Sequence, residues 1–468
     1  MRVIIINPPW PGKGYGHRSQ FRWPFKHKKN GQNVYPLLLS YVATILKKNG
    51  HEVSYIDSEY EKLDSEKTIS RISDFNPHVV FIETCIPTWQ SDQNFIEKVR
   101  NKINNAFIIV AGNYVTVYPE KCLENSQADI VIKGEMDYTT LDTIRAIEKG
   151  KDEKQLDYEL KRVDGIAYKI NGIIRNNTNR KPIENLDSLP FPDRQIIPLR
   201  WYISKYCMTN NCVSIQGARG CSKLCSICIY PDYFWDNKVR FRSPGNIVDE
   251  IEYLIQEFGA EEIIFEDPIF NITEKRVISI CNELLRRKIK IHWYCTLFPN
   301  LCNIEMIKLM KKAGCKMVFI GVNSVNRSSI EKLYRNRNID KEKVQKTFVL
   351  LSKYGIAVHA IFMVGLPWES EKEIMNTVNF ASRNKYIDQI DFMFCICHIG
   401  SVFYNEATEK RWIDKTKIEN MLYFARSAKE PIMKSQVPVG KLKKIVREAY
   451  LRFYMNPWRI LRKKSFNF

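Results

Sequence analysis

The chain has 468 residues, of which 44% are hydrophobic, so it is long enough for two or three domains that each bury a core. It has no run of eighteen apolar residues, and its opening MRVIIINPPWPG reaches two prolines before the apolar part is long enough for a signal peptide. These features exclude a membrane-spanning or secreted protein and predict a cytoplasmic one. The 13 cysteines do not predict a disulfide framework, because cytosolic thiols stay reduced. The net charge of +20 suggests an anionic partner, surface or substrate.

The first 150 residues alternate between short apolar runs and segments with helical periodicity. The apolar runs predict buried parallel strands at residues 3–7, 52–57, 78–83, 106–112 and 129–135. Five strands joined by helical crossovers make a doubly wound, Rossmann-like α/β domain over residues 1–150. Its ligand crevice is expected beyond the carboxyl ends of the strands.

A second alternation begins near residue 213, after a charged and then proline-punctuated segment, 151–206, that we interpret as a linker. Six strands are predicted, at residues 213–217, 261–267, 290–295, 316–322, 357–365 and 389–397. Six β/α units indicate a (β/α)6 partial TIM barrel over residues 207–405, open on one side. Residues 406–468 are expected to be a helical, basic C-terminal region.

Three cysteines, Cys221, Cys225 and Cys228, are spaced C-x3-C-x2-C in the loop after the first barrel strand, where loops face an active-site mouth. A structural zinc site needs four ligands, which Cys207 and Cys212 could complete. Iron–sulfur clusters are usually held by four thiolates. Three thiolates would therefore leave one iron open to bind a substrate or cosubstrate. The pattern favours the cluster, with zinc as the alternative.

The stretch GARGCSKLCSICIYPDYFW resembles the signature of radical S-adenosylmethionine (SAM) enzymes. Over most of its length the chain is similar to the cobalamin-dependent members, which carry a cobalamin-binding domain ahead of a partial barrel. The resemblance implies a 4Fe–4S cluster on the three cysteines, SAM bound at the open iron, and cobalamin. It implies methyl transfer from methylcobalamin to an unactivated carbon. The alternative is a non-methylating oxidoreductase or cyclase, like the anaerobic magnesium-protoporphyrin ester cyclase.

Further cofactor-binding residues follow from the same resemblance. For the lower face of the corrin, where no D-x-H-x-x-G motif offers a histidine, the candidates are Trp10, Thr84 and Trp89. The loops AGNYVTVYPE and KGEMD are similar to cobalamin loops and supply Gly112, Thr116, Gly134 and Glu135. In the barrel, the candidates for SAM are Tyr230, Asp267, Asn323 and Ser324. Two departures stand near the expected substrate: Phe298 replaces a common arginine, and residues 397–401 replace Pro-x-Pro-Gly-Thr.

The partners are less constrained by the sequence. A small molecule, a lipid or a peptide is expected as substrate, and a flavodoxin or ferredoxin as electron donor. No nucleic-acid partner is predicted, because the cations are scattered or C-terminal and no nucleic-acid-binding motif accompanies them. From Arg426 onward there are twelve lysines and arginines but two glutamates, interleaved with aromatic residues. This segment either makes peripheral contact with an anionic membrane or caps the open side of the barrel.

Overall fold

The computed structural model describes residues 1–11, 15, 16, 18, 26, 27, 35–199, 202, 207–334, 339–413, 433–457 and 459. These residues form two compact units. The first contains the described residues up to 202 together with 229–236, and the second contains the others.

The first unit is built on a seven-stranded sheet. Its strands are β1 (Arg2–Asn7), β2 (Glu52–Asp57), β3 (Val79–Thr84), β4 (Phe107–Gly112), β5 (Ile130–Ile132), β6 (Ile166–Ile170) and β7 (Ile173–Asn176). Its helices are α1 (Leu37–Lys48), α2 (Ser65–Phe75), α3 (Trp89–Lys102), α4 (Asn113–Val117), α5 (Pro119–Glu124), α6 (Asp137–Lys149) and α7 (Glu153–Leu160). The strand order is β2-β1-β3-β4-β5-β6-β7, and the first five strands are parallel. The doubly wound fold predicted from the sequence is confirmed.

The sheet explains where a ligand can bind. All residues of β3 are buried, as in a strand covered by helices on both faces. The chain order reverses at β1, which lies between β2 and β3. Such a reversal opens a crevice at the carboxyl ends of the strands. Asn7 ends β1 and Thr84 ends β3, so the crevice begins beside these two residues.

The segment predicted to be a linker differs from that prediction. It contains α7, and β6 and β7 form an antiparallel hairpin that extends the sheet beyond β5. The hairpin turns at Asn171 and Gly172, whose φ angles are 51° and 77°. Two positive φ angles are typical of a type I′ turn, for which Asn-Gly is the favoured pair. Most of the supposed linker is therefore part of the first unit.

The second unit holds six parallel strands. They are β8 (Cys212–Ile215), β9 (Glu262–Phe265), β10 (His292–Thr296), β11 (Cys315–Asn323), β12 (Ala357–Val364) and β13 (Gln389–Phe394). They are paired in chain order, and β8 and β13 are the edges of the sheet within the described residues. The helices that follow α8 (Tyr230–Tyr233) are α9 (Pro244–Phe258), α10 (Glu274–Arg286), α11 (Ile304–Lys312), α12 (Arg327–Leu333), α13 (Lys341–Lys353), α14 (Glu371–Arg383), α15 (Val402–Glu409) and α16 (Val439–Tyr454). This is the open, partial barrel that the sequence predicted.

The helix α16 covers the β13 edge of that sheet. Leu442 and Phe453, on its apolar face, are fully buried. The Tyr450 hydroxyl accepts a hydrogen bond from the backbone N–H of Phe392 at 2.9 Å. Among the described residues, no helix is both long enough and apolar enough to span a bilayer. These contacts favour the capping alternative for the part of the basic tail that is described; residues 414–432, 458 and 460–468 lie outside it.

Candidate functional site

The cysteine loop starts at the carboxyl end of β8 and is anchored there by Asp267. The backbone N–H groups of Gly217 and Ala218 donate to Asp267 Oδ1 at 2.6 and 3.0 Å. Arg276 Nη2 donates to Asp267 Oδ2 at 2.5 Å, and both side chains are buried. Both carboxylate oxygens are thus used within the protein. Asp267 therefore orients the loop, and its predicted contact with a cofactor stays a prediction.

The three cysteines lie on a short, tightly held segment. Cys221 and Cys228 are buried, whereas Cys225 is half-buried. Cys225 forms an isolated antiparallel bridge with Tyr334, just after α12. The N–H of Cys228 donates to the carbonyl of Cys225 at 3.0 Å. The loop is therefore fixed to both β8 and the segment that follows α12.

The arrangement of thiols fits a cluster better than a zinc ion. Zinc–sulfur bonds of about 2.3 Å in a tetrahedron bring the sulfur atoms to about 3.8 Å from one another. Among the described residues, one group of potential metal-binding side chains has all its ligand atoms within 4.8 Å of one another: Cys207, Cys212 and Glu262. The three cysteines of the loop do not form such a group. In a cluster each thiolate binds a different iron, so that closeness is not required.

Cys207 and Cys212, the candidates for a further zinc ligand, lie at the other end of β8 from the three loop cysteines. Cys207 and Cys212 form a disulfide, and Cys212 is the first residue of β8, whereas the triplet follows the last residue of that strand. The structure therefore pairs these two cysteines with each other and does not group them with the triplet. The disulfide is a departure from the expectation that the thiols are reduced.

Asn323 ends β11, and Ser324 follows it directly. Asn323 Nδ2 donates to the hydroxyl of Tyr334 at 2.7 Å, and Asn323 has a left-handed backbone with φ of 60°. Ser324 is fully buried, and its hydroxyl donates to Glu369 at 2.7 Å. Asn323 is therefore oriented by the same tyrosine that bridges Cys225. The Ser324 side chain instead joins the loops after β11 and β12.

Glu266, which the sequence analysis missed, follows β9 directly. It accepts a hydrogen bond from the Ser214 hydroxyl at 2.8 Å. Burial raises the pKa of Glu266 to about 7. Farther along the sheet, His359 Nε2 lies 2.8 Å from Asp391, and His359 is itself buried. The sequence analysis predicted a strand over residues 261–267 but did not single out Glu266, because its burial depends on tertiary packing.

In the first unit, Gly112 and Thr116 contact the residues that end or follow neighbouring strands of the sheet. Gly112 has φ of 132°, and a Cβ there would lie 1.9 Å from the Thr84 carbonyl oxygen. Thr116 Oγ1 donates to the carbonyl of Gly112 at 2.7 Å and accepts from the N–H of Gly134 at 3.1 Å. The ends of β3 and β4 and the loop after β5 are thereby held close. Glycines at such positions allow a close approach of the backbone to a ligand.

The three candidates for the lower face of the corrin lie near a buried ion pair. Thr84 Oγ1 donates to Asp92 at 2.7 Å. Asp92 also pairs with Arg18 at 2.9 Å, and neither side chain of the pair is exposed. The Arg18 guanidinium lies 5.4 Å from the ring centroid of Trp10. Trp89 is buried at the start of α3.

The remaining candidates are held by aromatic or backbone contacts. Trp89 stacks on Tyr114 with centroids 4.7 Å apart. Tyr230 stacks on Phe234 at 4.7 Å, and Tyr230 is buried. The Glu135 carboxylate accepts from the N–H of Ile183 at 2.9 Å, which connects its loop to the supposed linker.

The histidines of the first unit bear on cobalt ligation. His51 and His78 come directly before β2 and β3, at the sheet edge opposite the crevice. His17 and His27 lie outside the described side chains. Among the described residues of the first unit, His51 and His78 thus lie away from the crevice, and the absence of a histidine ligand to cobalt stays a prediction.

The chain matches two protein-family models and several known proteins. Residues 28–142 match the B12 binding domain and residues 215–381 match the radical SAM superfamily. An uncharacterized methyltransferase of Pyrococcus horikoshii is 28% identical over 429 residues, which are 90% of this chain and 88% of that protein. The anaerobic magnesium-protoporphyrin IX monomethyl ester cyclase of Rubrivivax gelatinosus is 26% identical over 464 residues, 97% of this chain and 78% of that protein.

A solved structure has the same fold. The radical SAM methyltransferase TsrM from Kitasatospora setae, with cobalamin and a [4Fe-4S] cluster bound, aligns with a TM-score of 0.68 at 15% identity and covers 87% of this chain and 75% of that one. The B12-binding match lies in the first unit, and the radical SAM match lies in the second unit except for residues 229–236. The chain therefore belongs to the cobalamin-dependent radical SAM enzymes, and its cofactors are a 4Fe–4S cluster, SAM and cobalamin.

Proposed function

We propose that the protein is a C-methyltransferase that moves a methyl group from methylcobalamin to an unactivated carbon of a small molecule, lipid or peptide. The observation that carries the proposal is the match over nearly the whole chain to a methyltransferase, on a fold that has both the three-cysteine loop and the crevice of the first unit. When bound, the cluster supplies the electron that cleaves SAM, and cobalamin supplies the methyl group. A flavodoxin or ferredoxin would supply the electron to the cluster.

The chain's own residues position these groups. Cys221, Cys225 and Cys228 would hold the cluster, while Asp267 fixes the loop that carries them. Asn323 would contact SAM with an orientation set by Tyr334. Because asparagine is uncharged, it would hydrogen-bond SAM without neutralising its positive charge.

The first unit would bind cobalamin through residues that bring backbone rather than bulky side chains to the ligand. Gly112, Thr116 and Gly134 would form the floor, and Glu135 would line its edge. Tyr230 would pack against the adenine of SAM.

The cluster assignment is tested by replacing all three loop cysteines with alanine. The anaerobically reconstituted variant is expected to lose the brown absorbance and all SAM cleavage. The matched control replaces Cys207 and Cys212 with serine and should keep a full cluster. A triple variant that retains a full cluster would contradict the assignment.

The assignment of methyl transfer can be tested before the substrate is known. The reduced holoenzyme is incubated with SAM that carries a deuterated methyl group. The cobalamin is then released and its mass is measured by mass spectrometry. A methyltransferase must reload its cobalamin, so labelled methylcobalamin is expected in step with S-adenosylhomocysteine. The similarity to ester cyclases over 97% of the chain makes a non-methylating reaction the second candidate. Cobalamin that stays unlabelled would favour that candidate and refute the methyltransferase.

The absence of a histidine at the described crevice gives a spectroscopic test. Electron paramagnetic resonance of the cob(II)alamin form should show no nitrogen splitting from a lower ligand. Clear splitting from a protein imidazole would overturn the proposed lower face of Trp10, Thr84 and Trp89.

A further inference from the structure

A lysine stands inside the cysteine loop. Lys223 lies between Cys221 and Cys225 and is half-buried. Its ammonium nitrogen is 4.4 Å from the ring centroid of Phe298, which follows β10. Within the described chain, no carboxylate forms a salt bridge with it. The ammonium group therefore contacts an aromatic ring on one side, and none of the described carboxylates neutralises its charge.

The Phe298 residue whose ring contacts this lysine is held in place by hydrogen bonds. The N–H of Phe298 donates to Asn271 Oδ1 at 2.8 Å, and Asn271 Nδ2 donates to the carbonyl of Phe298 at 3.0 Å. Asn271 is fully buried. The Phe298 ring meets Tyr334 edge to face at 6.4 Å. Since Tyr334 also bridges Cys225 and orients Asn323, the lysine is seated on the same framework that holds the loop.

Electrostatics decides which ligand group such a cation accepts. A partly desolvated ammonium group is costly unless an anion pairs with it, and an aromatic face attracts a cation without neutralising it. SAM carries a sulfonium, an ammonium and one carboxylate. Lys223 would repel the first two and attract the third. A lysine beside the cluster ligands therefore suits the carboxylate end of SAM.

We infer that Lys223 binds the carboxylate of SAM beside the cluster and so selects the orientation in which SAM meets the open iron. The inference rests on the proposed function, because it takes the three cysteines as the cluster ligands. It assigns the loop a second task. The loop holds the cluster through its thiolates and draws the anionic end of SAM through its lysine.

The test compares two probes in four forms of the reconstituted protein: the unmodified chain and three variants. Equilibrium dialysis under anaerobic conditions measures the affinities for SAM and for decarboxylated SAM. Lys223→Met should weaken SAM binding about tenfold and change binding of decarboxylated SAM less than about twofold. Lys223→Arg should keep most of the preference for SAM, and Lys346→Met, an exposed lysine on α13, should match the unmodified protein. Equal weakening of both probes, or no weakening, overturns the inference.

Iron and sulfide analysis keeps this inference separate from the proposed function. If Lys223→Met has a full cluster and normal SAM affinity, the role of the lysine is refuted and the cysteine assignment stands. If the unmodified protein holds no cluster on its loop cysteines, both fail. A variant with a full cluster that has lost discrimination between the two probes supports both.

Discussion

Asp267 offers the sharpest test of how the loop is positioned. Asp267→Ala would leave the Arg276 guanidinium buried without its carboxylate and two backbone N–H groups without an acceptor. Removing one partner of a buried ion pair costs about 3–5 kcal/mol, because the remaining charge is uncompensated. Water that enters the vacated space would satisfy part of the lost hydrogen bonding. We therefore expect the free energy of unfolding of the second unit to fall by about 4 kcal/mol.

The matched control removes a carboxylate from a surface pair. Asp249 lies 2.6 Å from Arg287, and its side chain is 52% exposed. Exposed pairs contribute about 0–1 kcal/mol, so Asp249→Ala should have little effect. Chemical denaturation of the two apoproteins gives the comparison, and hydrogen exchange of the loop amides should rise in Asp267→Ala alone. Equal stability of the two variants would refute the anchoring role.

A second variant separates positioning from cofactor contact. Asp267→Asn keeps one acceptor oxygen for the N–H groups of Gly217 and Ala218 but loses the charge facing Arg276. We expect a loss of about 2 kcal/mol in the free energy of unfolding, since hydrogen bonds to charged groups are worth more than neutral ones. SAM affinity per bound cluster should be unchanged. A loss of SAM affinity at full stability would instead support the cofactor contact that the resemblance implied.

Three further predictions concern both units. Glu266→Gln should reduce the pH dependence of the free energy of unfolding. Because the pKa of Glu266 is raised to about 7, the folded state binds this proton more tightly than the unfolded chain does. The stability that the proton contributes is therefore complete below about pH 4.5 and is lost as the pH rises through 7. Thermal unfolding at pH 5 and pH 8 measures it, and an unchanged dependence would contradict the assignment. Gly112→Ala should destabilise the first unit by about 3 kcal/mol, because the Cβ of the alanine would overlap the Thr84 carbonyl. The variant should also lose cobalamin binding, which the visible spectrum measures. A variant that binds cobalamin normally would show that the close approach of residue 112 to Thr84 is dispensable. Tyr450→Phe should lower stability by about 1–3 kcal/mol in denaturant unfolding, because the N–H of Phe392 loses its acceptor, and unchanged stability would argue against the edge cap.

The strands were predictable because parallel strands buried on both faces must be continuously apolar. The run around β3 carries this signal in full. The hairpin of β6 and β7 was missed even though Asn171 and Gly172 mark its turn. Its charged surroundings and partly exposed outer strand, typical of a sheet edge, weakened the apolar pattern.

The site was only partly predictable, because a motif identifies a residue but does not show which groups its atoms contact. The spacing of the three cysteines predicted the cluster, and that prediction needed no tertiary structure. Asp267 and Ser324 match the family's pattern, yet their side-chain oxygens are occupied by internal hydrogen bonds. The placement of Lys223 over Phe298 joins residues 75 positions apart, and no periodicity in the sequence predicts such a contact.

The basic tail shows why one pattern can support two functions until its packing is known. An amphipathic helix has the same periodicity whether its apolar face meets lipid or protein. In α16 that face, including Leu442 and Phe453, is buried in the fold, and so it is not available for insertion into a bilayer. Lys443, Lys444 and Arg447 are exposed on the outside of the same helix. The helix therefore packs its apolar face in the fold, while these cations, together with Leu451 and Tyr454 of the same helix, remain exposed. Salt would weaken any attraction of the cations to an anionic partner, since exposed charges are screened.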